Sequence, residues 1–520
     1  MQAVWQTIKR LADRAVRDDP AAPGHWLSRW VLLRLLGLVY LMAFLTLLNQ
    51  GPALIGDHGL LPAVDFLNDV AAQLGSRAAG FAQMPSVFWL SAHDAALRGA
   101  AWVGVALSLA VLAGYANALM LVVLCALQIS IINVGQTFYG FGWELQLVET
   151  GFLCIFLCPL VDGRPFPRRA PPKIVIWLLR WLAMRIMWGA GLIKLRGDPC
   201  WRDLTCLDFH FETQPIPNPL TLFFHGLPSG AHKIGVVFNH VVELGAPFLV
   251  LGPRRLRHLG GALMVALQII LILSGNLSFL NWLTLVPILA CFDDGLWRRL
   301  LPAWLVTRSA AARVAARPSR AQGFAVALLG LAIAALSVAP MLNLLSGRQL
   351  MNSSFTPLPL VNTYGAFGTV GRERMQLVVE GTQDQTLTPD TKWLAYQFKC
   401  QPGDPARRPC WMSPYHYRLD WLLWFAAMGS PREYPWMVHL VWKLLTADPA
   451  TLALLSSDPF GGAPPHYVRV ELYRYSFAPR GSKDWWRRTR VGPWLPPLSR
   501  DDRGLLDFLR TEGWLPVAPP

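Results

Sequence analysis

An α-helical polytopic membrane domain followed by an extracytoplasmic α+β domain is the fold class that the sequence predicts, on three observations. Charged residues make up only 15% of the 520-residue chain against 53% hydrophobic ones, with a mean hydropathy of +0.34; ordinary soluble domains carry about a quarter charged residues. The apolar excess gathers into runs near the roughly 20 residues that a hydrocarbon core requires. Lys and Arg concentrate in linkers between those runs, whereas beyond residue 346 charge of both signs rises and apolar runs shorten.

Residues 1–29 carry Lys9, Arg10, Arg14, Arg17 and Arg29 and read as a cytoplasmic amphipathic segment along the membrane surface. Residues 30–345 hold nine apolar runs, near 30–48, 99–115, 117–135, 143–160, 174–195, 233–252, 259–275, 280–296 and 323–345. The first is not a cleaved signal: it lies too far from the start, exceeds a typical signal core and has no small-residue cleavage site after it. Three basic linkers, DGRPFPRRAPPK (162–173), GPRRLRH (252–258) and LWRRLLPAWLVTRSAAARVAARPSR (296–320), all fall inside if the N-terminus is inside and nine crossings follow, as the positive-inside bias requires. An odd number of crossings then puts residues 346–520 outside. This pattern accounts for the net charge of +15, so membrane lipid is the expected surrounding and nucleic acid is not an expected partner.

The outward loops, among them NQGPALIGDHGLLPAVDF and GQTFYGFGWE, are poor in Lys and Arg and rich in Gly, Pro and aromatic residues, so ordered caps are expected. The longest, residues 195–232, suggests re-entrant or interfacial packing. Residues 346–480 read as an α+β head. RMQLVVEG sets Met375, Leu377 and Val379 on one strand face, and YVRVELYRYSF sets Val468, Val470 and Leu472 opposite Arg469, Glu471, Tyr473, Tyr475 and Phe477. LDWLLWFAAM and PWMVHLVWKLL have helical spacing. Residues 481–520 read as a peripheral extension ending in a short helix.

Glu144, Glu149, Arg185, Lys194, His240 and Glu243 lie in or at the ends of the runs, where ionisable groups are costly and are paired or functional. Glu149 and Lys194 fall toward the outer ends of their runs, so two readings stand: a structural ion pair, or a polar reaction chamber. Cys125, Cys154, Cys158 and Cys291 read as apolar packing residues. Cys200 with Cys206, and Cys400 with Cys410, fall on the oxidising side, where structural disulfides persist; neither pair has the Cys-X-X-Cys spacing of a redox site. Gly365, Gly368 and Gly371 read as turn glycines, not a nucleotide loop. HExxH, GxSxG and Walker A motifs are missing from the sequence, and no metal or cofactor is expected.

GLIKLRGDPCWRDLTCLDFHFETQPIPNP, VNTYGAFGTVGRERMQLVVEGT, RRPCWMSPYHYRLDWLLWFAA and DPFGGAPPHYVRVELYRYSF together resemble the lipase maturation factor family. The likeness runs in order over most of residues 30–480. It implies a multi-pass membrane protein whose C-terminal domain assists folding or assembly of an exported client, a secreted lipase, as a chaperone rather than an enzyme. The client surface expected on that basis covers residues 362–381 and 414–425, with Asn362, Tyr364, Phe367, Arg374, Glu380, Arg418, Asp420 and Trp421. Family members act in the endoplasmic reticulum. The Ala, Arg, Leu and Pro bias matches a high-GC bacterium, in which the head is periplasmic and the membrane is the inner one; in a eukaryote the head is lumenal. The membrane half is also similar, more weakly, to vitamin K-dependent carboxylase-like proteins. That implies the alternative of an intramembrane enzyme with Lys194 as base and Glu149, Glu243 and His240 as accessory groups.

Overall fold

The computed structural model describes residues 23–516; of the amphipathic surface segment expected over residues 1–29, residues 1–22 lie outside them, and Trp26 to Arg29 instead begin the first bundle helix with their side chains buried. Nine helical stretches make up one bundle among the described residues. They are α1 (Trp26–Ile55), α2 (Asp94–Ala113), α3 (Ala118–Val134), α4 (Gly142–Ile155) and α5 (Lys173–Arg196). Next comes α6, which joins Ser229–His240, a π turn at Val241–Gly245 and Ala246–Leu249. The last three are α7 (Arg254–Ser274), α8 (Leu280–Ile288) and α9 (Arg320–Leu345), and each of the nine coincides with one apolar run. Pro172 and Pro253 stand immediately before α5 and α7 in extended backbone, where the fixed proline φ starts a helix without costing a ladder bond. Asn117 and Ser319 cap α3 and α9 by accepting from Met120 and Gln322 amides at 2.9 and 3.3 Å. α1 and α2 pack closely because Gly37 and Gly104 carry no Cβ: one on Gly37 would lie 2.8 Å from the Leu112 main-chain nitrogen, and one on Gly104 would overlap the Phe44 ring.

Hydrogen bonds define the two ends. At one end Arg29 donates to the carbonyls of Leu157 and Arg169, Arg180 donates to Ala290, and Asp294 accepts from the Trp26 and Leu27 amides. All three basic linkers gather there, held partly by Asp293 with Arg254, Arg257 and His258. The head covers the opposite end. Five helices, α1, α2, α5, α7 and α9, are long and apolar enough to cross a membrane by themselves. α4 and α8 have 14 and 9 residues, about 21 and 14 Å at 1.5 Å per residue. They sit inside the bundle, and protein rather than lipid headgroups closes over them.

The head holds an antiparallel sheet in the order β2-β1-β5-β6, from β1 (Arg374–Thr382), β2 (Leu394–Ala395), β5 (Tyr467–Phe477) and β6 (Trp486–Ser499); β3 (Gln397–Phe398) pairs with β4 (Leu455–Ser457). Central β1 is buried almost throughout, so its alternation does not separate core from solvent. α10 (Arg418–Ala426) and α11 (Trp436–Leu445) pack against β1 and β5. On the sheet's other side Val378, Tyr475, Phe477 and Trp486 meet Leu222. The 195–232 loop is packed on the head: Arg374 donates to the carbonyls of Glu212, Gln214 and Pro215, and Glu212 accepts from the Phe477 amide at 2.8 Å.

The boundary expected at residue 480 also shifts. Residues 486–499 are the sheet's fourth strand, and Trp486 is fully buried. An edge strand tolerates Pro and keeps charge outward, which is why WRRTRVGPWLPP does not read as a strand. The closing helix α12 (Arg503–Thr511) buries Leu505 and Leu509, and Trp514 stacks on His439 with ring centroids 4.4 Å apart.

Candidate functional site

Polar groups at the ends of apolar runs meet polar groups of the head in a buried seam. Glu144, in the first turn of α4, accepts from Arg418 at 2.8 Å, from Gln128 at 2.6 Å and from the Trp143 indole at 3.1 Å. Arg418 also donates to the Phe138 carbonyl, and its guanidinium lies 3.6 Å from the Tyr139 ring centroid. Glu149 pairs with Arg185 of α5. Its other oxygen accepts from the Asn362 amide at 3.0 Å, the Asn362 side chain at 3.2 Å and the Tyr364 hydroxyl at 2.6 Å. Arg185 reaches on to the Asn362 carbonyl at 2.8 Å. Both carboxylates are inaccessible to solvent, and each is held by α-helical bundle and head together.

Lys194 does not pair with Glu149. It donates to both oxygens of Glu243 at 2.7 and 2.8 Å and to Asn239 at 3.1 Å, so its three N–H groups are committed within the protein. The π turn carries Glu243, and Asn239 bonds the same carboxylate at 2.9 Å. Trp201 closes the site: Lys194 lies 4.9 Å from its ring centroid, its indole donates to the Phe367 carbonyl, and half-buried His240 donates to its carbonyl at 3.0 Å. Phe367 holds a left-handed backbone at φ 54° to present that carbonyl, a conformation rarely kept without surrounding support.

Two polar residues that sequence reasoning missed complete the seam. Gln50, near the end of α1, accepts from the Arg418 amide at 2.9 Å and donates to the His416 carbonyl at 2.7 Å. Asn276, between α7 and α8, donates to the Cys410 carbonyl at 2.9 Å and accepts from the Met412 and Ser413 amides. Their signal is an amide side chain at the outer edge of an apolar run.

The expected client residues are mostly not surface groups. Asn362, Tyr364, Arg374, Glu380, Arg418, Asp420 and Trp421 are all buried, and Phe367 is half-buried. Trp421 packs against Trp143, Phe141 and His416. Glu380 pairs across the sheet with Arg469 at 2.8 Å, and Arg469 covers Trp393. These side chains fasten the head internally and to the bundle. The cysteines join as Cys200–Cys206 and Cys400–Cys410, with Cα atoms 4.8 and 5.4 Å apart. Asp420 organises the second bridge by accepting from the Cys400 and Gln401 amides at 2.5 and 2.9 Å. Burial pushes its carboxyl up from 3.8 to about 6 against those bonds. Burial, with the Arg418 charge beside it, holds His416 well below its ordinary 6.5.

Removing one partner of a buried pair strands the other charge at a cost of about 3–5 kcal/mol. Arg418→Met therefore lowers the thermal midpoint of the purified protein strongly, and adding Glu144→Gln recovers part of the loss; simple additivity of the two losses would dissolve the claimed coupling. For Asp420 the folded state binds its proton more tightly than the unfolded state, so this contribution is fully present below about pH 4 and fades as pH rises through about 6. Relative to Asp420→Asn, the wild-type protein loses thermal stability across that window, measured as midpoint against pH; parallel curves would contradict the assignment.

The chain matches two family models in order: lipase maturation factor transmembrane domain over residues 27–299 and lipase maturation factor C-terminal domain over residues 360–496. Lipase maturation factor 1 of Bos taurus is 48% identical, covering 96% of this chain and 94% of that protein, and the Homo sapiens protein of that name is 46% identical over 96% and 93%. Lipase maturation factor 2 of Homo sapiens is 28% identical, over 96% and 86%. No solved structure matches the chain. With both halves matched in order and the seam joining them into one body, the chain belongs to the lipase maturation factor family.

Proposed function

We propose that this protein is a membrane-anchored maturation factor that assists folding or assembly of exported lipases, with its head on the extracytoplasmic side. The observation that carries the reading is the 46–48% identity to proteins named lipase maturation factor 1 over 96–97% of this chain, which includes both the bundle and the head. An intramembrane carboxylase-like activity is not favoured, because the chain matches lipase maturation factors over nearly its whole length, and Lys194 is engaged by Glu243 and Asn239.

The orientation rests on two supports. Basic linkers gather at the bundle end opposite the head, and positive charge marks the cytoplasmic face. Both cysteine bridges belong to the head end, while Cys125, Cys154, Cys158 and Cys291 are free and buried in the bundle, consistent with an oxidising far side. That far side is a periplasm in a bacterium and a lumen in a eukaryote. Reporter fusions after residues 165, 255 and 310 give cytoplasmic signals and a fusion after 360 an extracytoplasmic one; a cytoplasmic signal at 360 overturns the orientation.

For the client contact, the junction of bundle and head offers a cavity of about 520 Å³ lined by Asn49, Gln50, Lys399, Tyr415, Tyr417 and Asp420. Tyrosine rings beside amide and ammonium groups suit an incompletely folded segment that presents both backbone and apolar side chains. Deleting the gene lowers the specific activity of a co-produced exported lipase, measured as activity per mass of secreted protein. Lys399→Glu does the same while the factor's own abundance stays constant. Unchanged specific activity after deletion refutes the maturation role, and a silent Lys399→Glu refutes this contact.

A further inference from the structure

A second cavity, of about 610 Å³, opens at the basic-linker end, between the segment that follows α4 and the start of α9. Phe156, Leu160, Ala325 and Val326 give it apolar walls, and Leu160 and Val161 at its edge are 66% and 69% exposed. Arg168, Arg169 and Arg317 stand at its rim. The rim is built: Arg169 donates to the Arg317 carbonyl at 2.7 Å, the Arg317 amide donates to the Arg168 carbonyl at 3.1 Å, and Arg29 anchors the Arg169 carbonyl from beneath. Asp162 is the one acidic residue in the lining, and Arg164 engages both of its oxygens at 2.9 and 2.8 Å. The other three guanidinium groups have no carboxylate within ion-pair distance among the described residues.

We infer that this cavity is a binding site for an anionic glycerophospholipid, its phosphate on Arg168 and Arg317 and one acyl chain against the wall of α9. Three features select that occupant over others. Arginines at one rim with no carboxylate partner among the described residues attract a negative group, and planar guanidinium forks match phosphate oxygens. Apolar walls reject a small hydrated anion but accept a hydrocarbon chain. The position, between helices of a membrane bundle at its basic end, is where anionic headgroups meet basic pockets. α9 makes this possible by packing on α5 while only 28% of its most apolar window is buried in protein, which leaves the groove open on its lipid side. The inference does not depend on the client or on which membrane holds the protein.

The test uses the full-length protein in neutral detergent, with the thermal midpoint read as phosphatidylglycerol, phosphatidylcholine or inorganic phosphate is added. Phosphatidylglycerol raises the midpoint of the wild type, and the other two do not. Arg168→Gln with Arg317→Gln, both exposed and outside the buried seam, keeps the midpoint without lipid and weakens the phosphatidylglycerol response by roughly tenfold or more in concentration. Ala325→Trp fills the groove and weakens the same response with all arginines retained. An equal shift by inorganic phosphate makes this a plain anion site and overturns the proposal. So does an equal response to phosphatidylcholine, or a phosphatidylglycerol response that survives in both variants.

Discussion

A carboxylate removed from water must be matched by donors or pay several kcal/mol, and α4 places two of them, Glu144 and Glu149, at zero exposure. The bundle supplies only part of what they need. Arg418 completes one site, and Asn362 with Tyr364 completes the other. Bundle and head are consequently one structure: their buried side chains form a continuous apolar cluster from Leu32 to Leu509, and its polar seam sets the register of the two halves. A hydrophobic contact alone permits sliding; charge-assisted bonds to single atoms do not.

The same constraint explains the short inner helices. α4 and α8 end well before the thickness of a hydrocarbon core, so their outer ends lie where a lipid-facing helix would leave carbonyl and amide groups unsatisfied. The head fills that space with the segment 410–418 and the Asn276 turn, which exchange main-chain and side-chain bonds directly. The long helices surround this core and meet the lipid. Irregular backbone is thus tolerated at depth because protein, not lipid, surrounds it.

Much of this was legible in the sequence. Apolar runs, basic linkers and prolines locate the nine helical stretches, five of them long and apolar enough to cross a membrane, and the β5 pattern sets Val468 and Val470 on a buried face. Partner choice was not legible. Position along a run tells how deep Glu149 and Lys194 sit but not how their helices are turned, and the turn sends Glu149 to Arg185 and Lys194 to Glu243. Nor does residue type distinguish a face pressed on the bundle from one shown to a partner, which is why Arg418, Asp420 and Trp421 looked like surface groups. β6 escaped because its edge position permits the prolines and charges that argue against a strand.

The distance along the chain between Glu144 and Arg418 is 274 residues, whereas Glu149 and Arg185 are 36 apart. During synthesis at about 5–20 residues per second, Glu149 gains its arginine within seconds, but Glu144 waits roughly 15–55 s for the residue that neutralises it. Throughout that interval the newly inserted bundle carries an incompletely matched carboxylate at its outer end, and only a head whose Asp420-held bridge region has folded can supply the missing guanidinium. The last domain made therefore decides when the first domain is finished, because Glu144 keeps only the Gln128 and Trp143 donors until Arg418 arrives.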